Sequence, residues 1–164
     1  MGKPYEIKAI QMKKKIEILA PAKDLIQGIA AINSGADAVY IGAPLYGARS
    51  NATNSIEDVA ELVKYAHLFN AQVFVVINTI LYDNELESCR QMIWKLYDIG
   101  VDALIIQDMA IMEMELPPIV LHASTQANNR DADKIKFLAD AGMKRVVLAR
   151  ELNLHQIKTI SEAS

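Results

Sequence analysis

Cysteine is almost missing from this chain: Cys89 is the only one among 164 residues. A single thiol cannot close an internal disulfide, and alone it cannot hold zinc or an iron–sulfur cluster. That usage fits a reducing compartment, so a cytoplasmic protein is expected. No apolar run is long enough to cross a bilayer, and none follows the N-terminal lysines as a signal peptide requires. Met1-Gly2 opens like a myristoylation site, but Glu6 stands where Ser or Thr is needed. No membrane partner is therefore expected. An excess of positive charge is absent too. Lys+Arg 17 against Asp+Glu 20 leaves a net charge of −3, and the one basic block is Lys13-Lys14-Lys15. The overall charge does not advertise a nucleic-acid surface, although a local patch can bind RNA on an acidic protein. There is no P-loop and no Gly-x-Gly-x-x-Gly, which removes the usual phosphate cradles. Metal-binding motifs are missing, so no metal ligands are expected, and no Ser or Cys stands beside a base.

What the chain does have is a repeat. Gly35-Ala36-Asp37-Ala38-Val39-Tyr40-Ile41 returns as Gly100-Val101-Asp102-Ala103-Leu104-Ile105-Ile106, and more loosely as Gly142-Met143-Lys144-Arg145-Val146-Val147-Leu148. A related form is Asn70-Ala71-Gln72-Val73-Phe74-Val75-Val76. In each, a helix ends on a residue that tolerates positive φ, the chain turns, and a buried strand begins. The strands are continuous runs of Val, Ile and Leu, as a parallel sheet covered on its faces requires. A first strand is predicted at Ile16-Glu17-Ile18-Leu19, stopped by Pro21. Helix starts are predicted at Asp24, at Ser55 with Asp58, at Asp83 or Asn84, near Asp131, and at Asn153 with Gln156. A short methionine-rich connection, Met109 to Glu115, is closed by Pro117-Pro118.

The count is about six β-α units, and a complete (β/α)8 barrel needs about 250 residues. The expected fold is therefore α/β: a parallel barrel of TIM type, incomplete, over residues 15–164. Residues 1–14 form a leader or a short extra element. An unfinished barrel has two open edges, so self-association through them is an expectation.

Parallel α/β folds place their sites at the carboxyl ends of strands. There the sequence offers Asn78, Gln107-Asp108, His122 with Ser124-Thr125-Gln126, and Arg150-Glu151. Arg150 can present a two-pronged donor to a carboxylate or phosphate, or it can pair internally with Asp108 or Glu151. His122 is a catalytic candidate if Asp108 orients it, and otherwise a satisfied core group. Ser124 lacks the flanking glycines of a nucleophile elbow, so hydrogen bonding to substrate or helix capping suits it better. Asn78 and Gln107 suit amides, ribose hydroxyls or base edges. The loop from Gly42 to Asn54 is long for its place and carries Tyr46 and Arg49. It reads as a binding loop in which Arg49 reaches an anionic group, or as a solvated turn.

Several of these segments together resemble the collagenase-like peptidases, peptidase family U32. They are Ile18-Leu19-Ala20-Pro21-Ala22, the Gly35 to Gly42 phrase, Ala48-Arg49, Asn78-Thr79, Gln107-Asp108, His122-Ala123-Ser124-Thr125-Gln126 and Arg145 to Leu152. Lys23 departs from the family pattern, which usually has glycine there. The resemblance implies a TIM-barrel-like N-terminal domain. It also implies either a collagen-degrading protease or a factor for hydroxylation of transfer or ribosomal RNA, or of quinones. An iron–sulfur cluster would then be held by cysteines that normally follow this region in a longer product. Peptide and RNA both stay open as substrates, and a non-catalytic scaffold or subunit is the third alternative.

Overall fold

The computed structural model describes residues 16–47 and 54–163. The expected leader and Arg49 lie outside these residues. Strands and helices alternate: β1 (Leu19–Ala22), α1 (Leu25–Asn33), β2 (Ala38–Gly42), α2 (Ile56–Leu68), β3 (Gln72–Ile77), α3 (Leu86–Asp98), β4 (Ala103–Ile106), β5 (Val120–Ala123), α4 (Ala132–Asp140), β6 (Arg145–Val146) and α5 (Leu154–Ala163). Between β4 and β5 the methionine-rich connection is a 3-10 turn, Met109–Glu113. All six strands are parallel and pair in chain order.

The caps explain where the helices begin. Asp24 accepts the Gln27 N–H at 2.9 Å. Ser55 and Asp58 form a reciprocal box, Asp131 accepts the Lys134 N–H at 2.8 Å, and Asn153 and Gln156 bond each other's backbone at 2.9 Å. The repeated turn has the backbone the sequence asked for. Asn70 sits at φ 55° and Gly35 at 94°, with Gly100 and Gly142 alike. The aspartate two residues after Gly35 and Gly100 has a structural task. Asp37 accepts the Ile18 N–H at 3.0 Å, and Asp102 accepts the Val73 N–H at 2.8 Å. Each carboxylate thus fixes the register of one strand on its neighbour. In the looser copy Lys144 keeps only the backbone bond, to the Leu121 carbonyl at 2.9 Å.

The sheet is curled, and one ion pair proves it. Strands lie about 4.8 Å apart, so a flat six-stranded sheet would hold its edges roughly 24 Å apart. Yet Arg145 on β6 donates to both carboxylate oxygens of Glu17, just before β1, at 2.6 and 2.9 Å. Only an incomplete barrel brings those edges so close. Its outer face carries Val39, Ile41, Val73, Val75, Ile77, Leu104 and Ile106 against the helices. Its concave face carries Ala38, Phe74, Ala103 and Ile105, with Leu19, Tyr40 and Val76 beside them.

Two strand boundaries differ from expectation. Pro21 does not stop β1 but lies within it, paired in register with Tyr40. β1 is an edge strand, where a residue without an N–H is tolerated. The last strand ends after Val146 instead of running through Leu148. The Val147 carbonyl is taken by the Asn129 side-chain amide at 2.8 Å, and no strand pairs with the outer edge of β6 among the described residues.

Candidate functional site

A cleft of about 860 Å³ runs along the concave face to the carboxyl ends of the strands. Its lining includes Pro21 on β1 and Lys23 just after it, Tyr40 and Gly42 on β2, Asn78 after β3, Ser124-Thr125-Gln126 after β5, and Arg150 after β6; Gln27 enters from α1. No acidic residue is among the lining residues that the structure describes. A buried asparagine holds each side of the cleft. Asn54, 4% exposed, donates from its Nδ2 to the carbonyls of Lys23 at 3.0 Å and Gly42 at 3.3 Å. Asn129, fully buried, donates to the carbonyls of Ser124 and Val147, both at 2.8 Å. Each amide therefore ties the ends of two neighbouring strands, β1 with β2 and β5 with β6.

Of the residues singled out in the sequence, Asn78, Ser124, Gln126 and Arg150 meet on this cleft. Ser124 is buried, and its hydroxyl accepts the Gln126 N–H at 3.3 Å as the cap of a 3-10 turn, Thr125–Ala127. Arg150 pairs with neither Asp108 nor Glu151. Glu151 lies 3.6 Å from Arg130 instead. Gln107 is half-buried and does not line the cleft. Tyr46 is a buried anchor: its hydroxyl is 2.6 Å from Ser88 Oγ, and its carbonyl accepts the Asn78 N–H at 3.1 Å.

Asp108 turns away from the cleft. Its two oxygens accept the N–H groups of Leu81 and Ala110, each at 2.9 Å. They join the connection after β3 to the turn after β4. Replacing Asp108 with Ala leaves two backbone donors without this partner, so Asp108→Ala should lose about 2 kcal/mol in urea unfolding. A loss below about 0.5 kcal/mol would mean that water replaces the carboxylate at no cost.

His122 lies one layer below Ser124, in register with Ile105 and Arg145. It is 5% exposed and its Nδ1 has no hydrogen-bond partner. Its ring meets Phe74 edge-on at 4.8 Å, and the Arg145 guanidinium stands 5.4 Å from the Phe74 centroid. Burial pushes the imidazole down from 6.5 to about 4, with Arg145 adding to the effect and Glu17 opposing it. His122 is thus neutral at pH 7 and sits beneath the cleft floor, not on its lining.

Sequence reasoning passed over Lys23 as a site residue, and with it Gln27, Tyr40 and Asn129. Tyr40 was within reach, because strand parity places it on the face of Ala38. Asn129 carried no signal, since nothing in sequence marks which amide will find two strand ends.

Comparison with known proteins settles the family. The family model described as Peptidase family U32 matches residues 23–164. The chain belongs to peptidase family U32. A solved structure described as a U32 peptidase superposes with a TM-score of 0.74 at 13% identity, covering 99% of this chain and 71% of that one. At that identity the likeness speaks for the fold alone. Among curated relatives, the 23S rRNA 5-hydroxycytidine C2501 synthase of Escherichia coli K12 is 55% identical over 150 residues. The tRNA hydroxylation protein P1 of Bacillus subtilis 168 is 36% identical over 153 residues. These matches take in 92% and 91% of this chain but only 23% and 36% of the relatives' lengths.

The iron–sulfur cluster implied by the U32 resemblance does not fit the donors in this U32 chain. Its one thiol, Cys89, is on the buried face of α3, and burial pushes it up to about 11, with Glu85 and Asp108 adding. A cluster needs several thiolates, and this thiol is held protonated. No helix among the described residues is long and apolar enough to cross a membrane.

Proposed function

We propose that this chain is the RNA-holding barrel portion of a U32 hydroxylation protein that acts on ribosomal or transfer RNA in the cytoplasm. The observation that carries this reading is the 55% identity to the 23S rRNA 5-hydroxycytidine C2501 synthase. The cleft agrees with it. Among the described residues its lining offers amides, hydroxyls and two cations, which suit a nucleotide, and no histidine or carboxylate. A peptidase needs a nucleophile beside a base, or an activated water. Here the Ser124 hydroxyl is engaged as a cap and His122 lies under the floor. The peptidase reading rests on names: the family's, and those of less similar relatives such as a collagenase of Porphyromonas gingivalis, 32% identical over 152 residues. In this proposal the barrel orients the target nucleotide. The oxidising chemistry belongs to a longer product, whose further cysteines would hold the cluster.

Deletion of the gene tests the proposal. Ribosomal and transfer RNA from the deletion strain, digested to nucleosides and read by mass spectrometry, should lack one hydroxylated pyrimidine. The intact gene should restore it. Unchanged hydroxylated nucleosides, with gelatin cleavage by the purified intact protein, would replace this reading with the peptidase one.

A further inference from the structure

We propose that Lys23 and Arg150 form a two-sided phosphate clamp across the mouth of the cleft, taking the backbone phosphates of a single-stranded pyrimidine nucleotide. Its identification as an RNA phosphate rests on the function proposed above; the clamp itself rests on the geometry. Lys23 follows the first strand and Arg150 the last, the two edges of the sheet, and both line one cleft. Curling has brought these edges face to face, as the Glu17–Arg145 pair at the other end of the same strands shows.

Both backbones are held. The Lys23 carbonyl accepts from buried Asn54 at 3.0 Å, and its N–H donates to Gln27 Oε1 at 3.1 Å. Next to Arg150, Ala149 donates its N–H to the carbonyl of buried Asn129 at 3.1 Å. The charged heads remain available. Among the described arginines, Arg90 holds Glu87, Arg145 holds Glu17 and Arg130 lies against Glu151, while Arg150 holds no carboxylate. The acid nearest in sequence to Arg150 is thus drawn off by another cation. Lys23 has no carboxylate partner among the described residues either. A cleft whose described residues include two unpaired cations and no acid, on a chain of net charge −3, is built for an anion. Between the cations lie Asn78, Gln126, Ser124 and Tyr40. The Gln126 amide offers a donor and an acceptor to the edge of a pyrimidine, and the tyrosine offers a ring face for stacking. The nucleotide must be single-stranded, because a paired base could not present that edge to a concave floor.

The test uses the 164-residue chain with a fluorescent single-stranded RNA 9-mer (~9 nucleotides, the span of one groove), cytidine 5′-monophosphate, cytidine and inorganic phosphate. Cytidine 5′-monophosphate should bind more tightly than cytidine, and inorganic phosphate should compete with it. Lys23→Ala and Arg150→Ala should each weaken the RNA about ten-fold and flatten its salt dependence by roughly 0.7 in log–log slope. Arg150→Lys should recover part of the loss, since it keeps the charge and gives up the fork. Lys64→Ala, an exposed lysine on α2, is the control for general charge. Both clamp side chains are exposed, so thermal melting should be unchanged, and Lys23→Gln and Arg150→Gln serve if either alanine variant melts early.

Equal binding of cytidine and its monophosphate overturns the clamp. So do losses no larger than that of Lys64→Ala, or no binding of any of the four probes. The two proposals fail separately. Full restoration of RNA hydroxylation in the deletion strain by an intact gene carrying both substitutions would sink the clamp and leave the RNA reading standing. Monophosphate binding that depends on Lys23 and Arg150, in a protein whose deletion leaves RNA unchanged, would keep the clamp and sink the reading.

Discussion

Phe74→Ala should cost about 3–5 kcal/mol and lower the melting temperature by roughly 10 °C or more. Phe74 is 1% exposed at the middle of β3, on the concave face. A complete barrel fills its interior with stacked layers of side chains. Here six strands must do the same with fewer residues, and Phe74 is the largest side chain they bury completely. It touches His122 edge-on and lies under the Arg145 guanidinium. Alanine would open a cavity that neither polar neighbour can fill. It would also remove the aromatic face that helps hold Arg145 over the interior, where Arg145 reaches Glu17. Urea unfolding of Phe74→Ala beside Phe74→Leu checks this. The leucine variant keeps most of the volume and should lose about 1–1.5 kcal/mol. If the two variants lose equally, the concave face is not a packed layer. If alanine loses under about 1 kcal/mol, Phe74 supports nothing.

The fold was legible because its determinants are local. Each β-α unit is written as a cap, an amphipathic run, a positive-φ residue and an apolar strand, and each part lies within a few residues of the next. Asp24, Ser55, Asp131 and Asn153 cap the helices they were expected to cap. The strand order follows too, since short right-handed crossovers lay parallel strands side by side in sequence. Pro21 was misjudged because its effect depends on whether β1 lies at an edge, which is a property of the whole sheet. The site was only half legible. That polar groups at strand ends converge is a rule of the fold, and Asn78, Gln126 and Arg150 obey it. Whether such a group faces the cleft or turns back to the chain is decided by distant backbone. Asp108 turned back because the Leu81 N–H, 27 residues earlier, lay within its reach. Asp37 and Asp102 show the same use of a carboxylate as a backbone clasp. An aspartate in this chain is thus more often a fastener than a reagent, and that was invisible without the register of the strands.

Acid should weaken the protein well before its carboxylates protonate, and His122 should be the cause. In the fold the imidazole sits near 4, because burial disfavours its charged form and Arg145 repels it. In the unfolded chain it returns to about 6.5. Between those values the unfolded state binds the extra proton, so stability rises with pH across the window and falls as pH drops through it. The full stability is present above 6.5, and the loss is complete below about 4. At 1.36 kcal/mol per pH unit, the loss between pH 6.5 and 5 is about 2 kcal/mol, out of about 3 in all. Glu17 acts in a lower window. Its hydrogen bonds to Arg145 hold it below the usual carboxylate value, so its contribution is lost only as pH falls through the unfolded value of 4.5 and beyond. The comparison of pH 7 with pH 5 therefore isolates the histidine. His122→Phe keeps the ring against Phe74 and has no proton to take up. Its urea-unfolding free energy should be nearly flat from pH 7 to 5, while the parent falls by about 2 kcal/mol. Parallel curves for the two proteins would assign the acid sensitivity elsewhere and show that protonated His122 is accommodated in the fold. A neutral His122 at pH 7 also leaves the clamp as the source of the cleft's positive charge among the described residues. Anion binding by Lys23 and Arg150 should then be insensitive to His122→Phe at neutral pH, which separates the stabilising floor from the binding rim.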